Sequence, residues 1–319
     1  MPPERSAPGR NLAVDLVKLA LAMMVVGIHA DPFDGLGRMV HLLTAEGLFR
    51  LGVPVFLIFS GYYLHDAVLA GRGRSWLWRV LRLYAVWMAL YLPVYWPLLP
   101  GFTPGEAMRF FVFGYWHLWY LAGLFMAGAV LVPLTGQSTR RLLVLAGASF
   151  GLGLLLSWGL MLGLFTAPGA FQDPLHLNRN PLVLSLPCLI AGFVIRREGL
   201  AERLSPKTVR IAAVAGVLLL CGETLALGLL PRGLPHDLMA SLALAAPALA
   251  LAALQSPRRH ASRALSDQSG GIYFLHVAFV ALAFRYTDLP SPVVWLWAVC
   301  GSAALAFVLS RTGLARYLF

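Results

Sequence analysis

The sequence predicts an all-α, polytopic membrane protein of about ten transmembrane helices in one bundle, with both termini cytoplasmic. Three observations predict it. Apolar residue types make up 59% of the 319 residues and charged ones 12%, with a mean hydropathy of +0.74, a balance that a water-facing surface can hardly accommodate. The apolar residues gather into runs of roughly 20, the length that crosses a ~30 Å hydrocarbon core as a helix. Lys and Arg fall mainly in alternate connections between those runs, which sets a direction for the chain.

The runs lie at about 12–30, 47–69, 78–99, 116–134, 142–165, 181–195, 209–230, 237–254, 270–287 and 292–310. A short polar tail, residues 1–11, precedes the first and carries Arg5 and Arg10. A basic tail before an apolar core resembles a secretory signal, but Asp15 and Lys18 occupy the part of such a signal that is uncharged, so an uncleaved first helix is expected. The second run has Ser60 and Gly61 at its middle, a small pair suited to close helix packing or to a site. Arg79 and Arg82 open the third. Pro133 and Pro187 fall in the fourth to sixth runs, where neighbouring helices can satisfy the freed backbone groups. Glu223 is the acidic residue deep in the seventh, and His276 closes "GIYFLH" in the ninth.

With the N-terminus inside, the cytoplasmic side receives Arg5, Arg10, Arg72, Arg74, Arg79, Arg82, Arg140, Arg141, the basic group in 196–210, Arg258, Arg259, Arg263, Arg311 and Arg316. The opposite side holds Arg38, Arg50, Arg109, Arg179, Arg232 and Arg285. This asymmetry makes the number of spans even and places Asp34 and Gln172 outside. No repeat, low-complexity segment or polar linker divides the chain, so residues 1–319 read as a single domain. The longest external stretches, about 31–46, 100–115 and 166–180, are rich in Gly, Pro and aromatic residues, as expected of loops or short re-entrant helices covering a site.

The net charge of +11 does not signal nucleic acid, because the basic residues cluster between apolar runs instead of forming a stripe on a polar domain. Cys188, Cys221 and Cys300 are odd in number, lie within apolar runs and lack metal-ligand spacing. They read as small buried hydrophobes, and no metal site is expected.

The titratable residues inside the runs are the functional signal. Lys18 and His29 are eleven residues apart, close to three helical turns, so they share a face about 16 Å apart along the axis. Asp15 lies one turn before Lys18. A charge at such depth costs at least ~2.5 kcal/mol, which favours a cavity or a partner. For Asp15 and Lys18 a plainer account stays open, an ion pair near the helix end with Lys18 snorkelling. Further polar candidates are Arg50 and Ser60 in "RLGVPVFLIFSGYYL", His117 in "WHLWYL", Arg179 and Asn180 in "RNPLVLSLPCLIAGF", and Glu223 and His276.

The ordered set of Asp15, Lys18 and His29 with "RLGVPVFLIFSGYYL", "WRVLR", "HLWYL", "RNPL" and "GIYFLH" resembles the acyltransferase-3 family of integral membrane acyltransferases over nearly the whole chain. The resemblance implies a ten-helix domain of the cell (cytoplasmic) membrane. It implies that an acyl group, usually acetyl, passes from cytoplasmic acyl-CoA to a hydroxyl of a glycan or related cell-envelope acceptor at the outer face. His29 falls on the family's first-helix histidine, the general base in this reading, with an acyl-histidine intermediate as the alternative. Lys18 stands where the family usually has arginine, which keeps the charge but loses the bidentate fork. Arg79 and Arg82 match the basic motif of the third helix, and Trp78 departs from it. Lys18, Arg79 and Arg82 are thus the expected acyl-CoA ligands, with acyl-CoA as co-substrate and no bound cofactor.

A secondary transporter of a small metabolite or lipid-linked sugar is the rival. Two five-helix inverted repeats would need broken helices at matching positions, yet the first and sixth runs share no Gly-rich, unwound centre.

Overall fold

The computed structural model describes residues 9–166, 178–229 and 238–319. Arg5, Gln172 and Arg232, used above to orient the chain, lie outside the described residues.

The first helix, α1 (Leu12–Ala30), begins where Asn11 turns its side chain to accept the Val14 N–H, a capped start that satisfies one orphan donor. A short α2 (Arg38–Thr44) and a 3₁₀ turn at Leu48–Leu51 lead into α3 (Gly52–Leu69), and α4 runs Gly73–Tyr95. The connection to the next span contains α5 (Pro104–Phe113), started by a Thr103–Glu106 capping box with Pro104 at its first position. The stretches 31–46 and 100–115 therefore do carry short helices. There follow α6 (Trp119–Leu134), α7 (Thr139–Met161), α8 (Leu186–Arg197), α9 (Pro206–Gly228), α10 (Leu242–Leu254), α11 (Ala264–Tyr286) and α12 (Ser291–Arg311).

Among the described residues eight helices are long and apolar enough to cross a membrane, and the protein is an all-α, multi-pass membrane protein. The two remaining runs are shorter. One is α10, with Pro247 inside it. The other, expected as a continuous helix over 181–195, opens as a π turn at Pro181–Ser185 before becoming α8. Pro187 has no N–H to return to the carbonyl four residues earlier, and the widened turn lies immediately before it.

The closest helix crossing joins α3 to α8. A Cβ on Gly61 would overlap the carbonyl of Leu189, and one on Gly192 would overlap the carbonyl of Ile58, so the two backbones pass in direct contact. This is the small-residue packing that replaces the hydrophobic drive inside a bilayer. It explains the Ser60–Gly61 pair as a packing notch on the glycine side. α1 packs against α11, and α11 against α12, while long apolar side chains such as Leu155, Leu218 and Phe307 remain outward.

Both described ends meet at one face. Arg10–Asn11 pairs antiparallel with Arg259–His260, and the Asn11 amide donates to the carbonyls of Ala253 and Leu254 at 3.1 Å, closing the end of α10. The Trp87 indole donates to the Leu318 carbonyl at 2.9 Å, and Gly9 and Phe319 line the same cavity. We call this the basic face. The opposite face carries His29 near the end of α1.

Candidate active site

Lys18 is two turns into α1, and no carboxylate forms an ion pair with it among the described residues. Its ammonium lies 5.5 Å from the Phe59 ring centroid and 5.2 Å from that of Tyr63, both on α3. Ring faces stabilise a cation without consuming its charge, so Lys18 stays available to an anion. Asp15 is not its partner. The Asp15 carboxylate, 2% exposed, receives Arg10 Nε at 2.9 Å and Nη2 at 3.0 Å, and His260 Nε2 lies 3.0 Å away. The bond to Asp15 raises the Arg10 guanidinium further above its ordinary range. Asp15 thereby becomes the knot that ties the tail and the 259–260 strand over the basic face.

A wide cavity of about 890 Å³ opens at that face, with Arg10, Lys18, Asp66, Arg72, Arg79 and Arg196 among its walls. A deeper chamber of about 250 Å³ continues from it, sharing Lys18, Tyr63 and Arg79, and its walls are otherwise largely aromatic, with Phe56, Tyr120 and Tyr273. Ser60 lines it, donating to the Phe56 carbonyl at 2.9 Å, with Tyr120 Oη at 3.3 Å. A third chamber of about 40 Å³ holds His29, Arg50, His117, Trp119, Arg179 and Tyr273. Tyr273 is the residue common to the second and third, so its ring forms the partition between them. Its hydroxyl donates to the His117 carbonyl at 3.0 Å, which fixes that partition in place. A separate recess of about 230 Å³, lined by Arg79, Arg82, Arg263 and Arg316, adjoins the two cavities of the basic face.

Around His29 the structure assembles three histidines that the sequence scatters over more than two hundred positions. The His29 ring stacks on His276 at 5.3 Å and 29°, and on Trp116 at 5.3 Å and 26°, while His117 and His276 have centroids 4.9 Å apart. His276 Nδ1 lies 2.7 Å from the Tyr273 carbonyl and 3.1 Å from that of Ile272. A carbonyl accepts only, so the proton sits on Nδ1 and Nε2 carries a lone pair. That Nε2 is buried with no hydrogen-bond partner among the described residues. Trp116 holds φ at +46°, a left-handed conformation that costs a bulky residue energy and is retained typically at working sites. Arg50 is 8% exposed and its Nη2 lies 2.9 Å from Glu46, and the Arg179 guanidinium lies 5.8 Å from the Trp119 ring centroid.

Two expected site residues are elsewhere. The Glu223 carboxylate accepts the N–H groups of Ala240 at 2.7 Å and Ser241 at 2.8 Å, and so anchors the start of α10. Among the described residues it forms no ion pair with a cation, and it does not line the His29 chamber. The Asn180 side chain accepts the Leu182 N–H at 2.9 Å and caps the π turn. Sequence reasoning passed over Trp116 and Tyr273, although both lie within quoted motifs. Tyr273 is three residues before His276, on the same helix face.

Comparison with known proteins adds an acyltransferase-domain model, that of the acyltransferase-3 group, which matches residues 11–311. An amino-acid racemase of Enterococcus faecalis is 27% identical over 143 residues, 40% of this chain and 20% of that protein. A serine/alanine racemase of Enterococcus gallinarum is 25% identical over 213 residues, 61% of this chain and 30% of that protein. The chain thus spans less than a third of the length of either curated relative. No solved structure matches.

Proposed function

The chain belongs to the acyltransferase-3 family and is a membrane acyltransferase, and from that premise we propose that it moves an acyl group, acetyl in the first instance, from cytoplasmic acyl-CoA to a hydroxyl of a glycan or related cell-envelope acceptor. One observation carries the reading. Lys18 and His29 stand on one helix about 16 Å apart, and two chambers that meet at Tyr273 lead from one to the other.

The donor enters at the basic face, which this reading makes cytoplasmic, as the positive loops suggest. Arg79 and Arg82 hold its phosphates, and Lys18 adds charge at the mouth of the inner chamber. The aromatic chamber suits the extended, uncharged pantetheine arm, which brings the thioester to Tyr273, and release of the Tyr273–His117 hydrogen bond would let that ring swing aside and open the way to His29. The acceptor comes from the opposite face to His29. Its hydroxyl oxygen attacks the thioester carbonyl as a nitrogen of His29 takes the proton. The C–S bond then breaks, and the proton passes from His29 to the thiolate, leaving CoA as the free thiol and the acceptor as an ester. Arg50 and Arg179 line the same chamber, where guanidinium groups favour negative charge developing on the carbonyl oxygen. Neutral imidazole is the form that can take this proton.

The racemase activity named for the two relatives belongs to proteins whose greater part this chain does not match, and it is not carried over. The test is chemical. Protein in nanodiscs given acetyl-labelled CoA is expected to bind it and to release or transfer the label slowly, with loss of release in His29→Ala. Absence of both binding and release in the unaltered protein overturns the reading and is the result a transporter gives.

A further inference from the structure

The recess bounded by Arg79, Arg82, Arg263 and Arg316 has a composition unlike the cavities it adjoins. Its lining holds four guanidinium groups and no acidic side chain, with Leu83, Tyr317 and Phe319 completing it. The wide cavity beside it is mixed, with Asp15, Asp66, Glu202 and Asp267 facing its cations. Among the described residues none of the four arginines is held in an ion pair. Like charges gathered in one recess repel, and an exposed cluster of this kind is relieved by an anion that brings more than one negative charge. A phosphate monoester carries close to two charges at neutral pH and offers three acceptor oxygens, which several guanidinium forks can share. A phosphodiester or a pyrophosphate linkage carries one charge per phosphorus.

Position separates the candidates further. The recess shares Arg79 and Phe319 with both the wide cavity and the inner chamber, and Arg263 with the wide cavity, but neither Lys18 nor Tyr273 borders it. It is a side pocket off the line that leads to His29. The pantetheine and pyrophosphate of CoA form one unbranched chain and must follow that line. The single phosphate that branches from it is the monoester on the ribose 3′ oxygen.

We propose, on the basis of the acyl-CoA reading above, that this recess is the site of the 3′-phosphate of CoA, held by Arg82, Arg263 and Arg316, with Arg79 shared between it and the pyrophosphate. Arg263 and Arg316 come from the start of α11 and from the segment after α12, so the C-terminal segment completes the donor site. The Trp87–Leu318 hydrogen bond and the packing of Phe319 against Gly270 hold that segment in position. The protein then distinguishes CoA from 3′-dephospho-CoA and from pantetheine thioesters.

The experiment measures binding of CoA and of 3′-dephospho-CoA to the full chain in phosphatidylcholine nanodiscs, with and without added phosphatidic acid, whose headgroup is also a phosphate monoester. The unaltered protein is expected to bind CoA at least tenfold more tightly. Arg316→Gln and Arg263→Gln each remove most of that preference and leave affinity for 3′-dephospho-CoA within twofold. Both side chains are exposed, so neither variant should lose its fold, and a melting curve checks this. Equal affinity for the two ligands in the unaltered protein overturns the 3′-phosphate site while leaving acyl-CoA as donor. So does an equal fall for both ligands in Arg316→Gln. Binding of phosphatidic acid that depends on Arg316, without any CoA preference, assigns the recess to lipid instead. Failure to bind either nucleotide overturns the donor reading and this site together.

Discussion

The imidazole of His276 stacks on that of His29 with centroids 5.3 Å apart, while its own Nδ1 is tied to the Tyr273 carbonyl at 2.7 Å. The fixed proton leaves Nε2 as a lone-pair acceptor in a buried position, where a donor is otherwise missing. His276 is therefore held in one orientation against the His29 ring, with an acceptor nitrogen that no group among the described residues uses. Replacement by Phe keeps the ring volume and the stacking but removes both nitrogens. His276→Phe is expected to lower acyl transfer by about tenfold or more with little change in acetyl-CoA affinity, and His276→Gln, which restores an acceptor oxygen, is expected to recover part of it. Loss of donor binding in step with turnover in both variants would mark His276 as a packing residue.

Lys18 offers a second test, because among the described residues it meets ring faces and forms no ion pair. Lys18→Arg keeps the cation and adds a bidentate fork, so donor affinity is expected to hold or improve. Lys18→Met retains the stem and removes the charge, and is expected to weaken CoA binding by about tenfold, in line with ~1.5 kcal/mol for a charged hydrogen bond. Unchanged affinity in the Met variant leaves donor binding to the arginines of the basic face.

Glu223 should behave as a structural residue. Its two bonds to the Ala240 and Ser241 N–H groups hold the start of α10 against α9, and truncation leaves those donors unmet in an apolar setting. Glu223→Ala is expected to cost on the order of 1–3 kcal/mol of stability, read as a lowered melting temperature. Turnover of the protein that remains folded is expected to be unchanged. A specific loss of turnover with normal melting would return Glu223 to the site.

These residues show which parts of the molecule a sequence can disclose. Bilayer thickness imposes the run lengths, so the spans are visible directly, and the cost of intramembrane charge makes Lys18, His29 and Arg50 conspicuous. The period of a helix puts Lys18 and His29 on one face with no further information. What stays hidden depends on pairing across distance. Asp15 and His260 are 245 positions apart, and nothing local to either says that a two-residue strand will join them. Glu223 looks like a buried acid until the amides 17 and 18 residues later are seen to meet it. The partition at Tyr273 is a property of the space between helices, and one aromatic among many in an apolar run carries no mark of it.

Orientation in the membrane is open to direct labelling. In a background with Cys188, Cys221 and Cys300 replaced by Ser, a cysteine at Asp34 is expected to react with an impermeant thiol reagent in intact cells, and one at Ser262 only after the membrane is opened. Both positions are exposed, Asp34 beyond the end of α1 and Ser262 just before α11. The reverse pattern would place the arginine recess outside and reverse the direction of transfer.

The mechanism depends most on His29. If it takes the acceptor proton, His29→Ala is expected to reduce transfer by about 10² to 10⁴, the usual contribution of a positioned base. Acetyl-CoA affinity should remain nearly intact, because the proposed mechanism puts the nucleotide in the wide cavity at the other end of α1, whose lining does not include His29. Folding should survive as well. The His29 ring is only half-buried and stacks on two rings, so its loss removes few packed contacts. His117→Ala is the control for a fully buried neighbour in the same cluster, and is expected to lose stability along with activity. A full rate in His29→Ala, with transfer abolished in a well-folded His117→Ala, would move the base from the first helix to the segment that precedes α6.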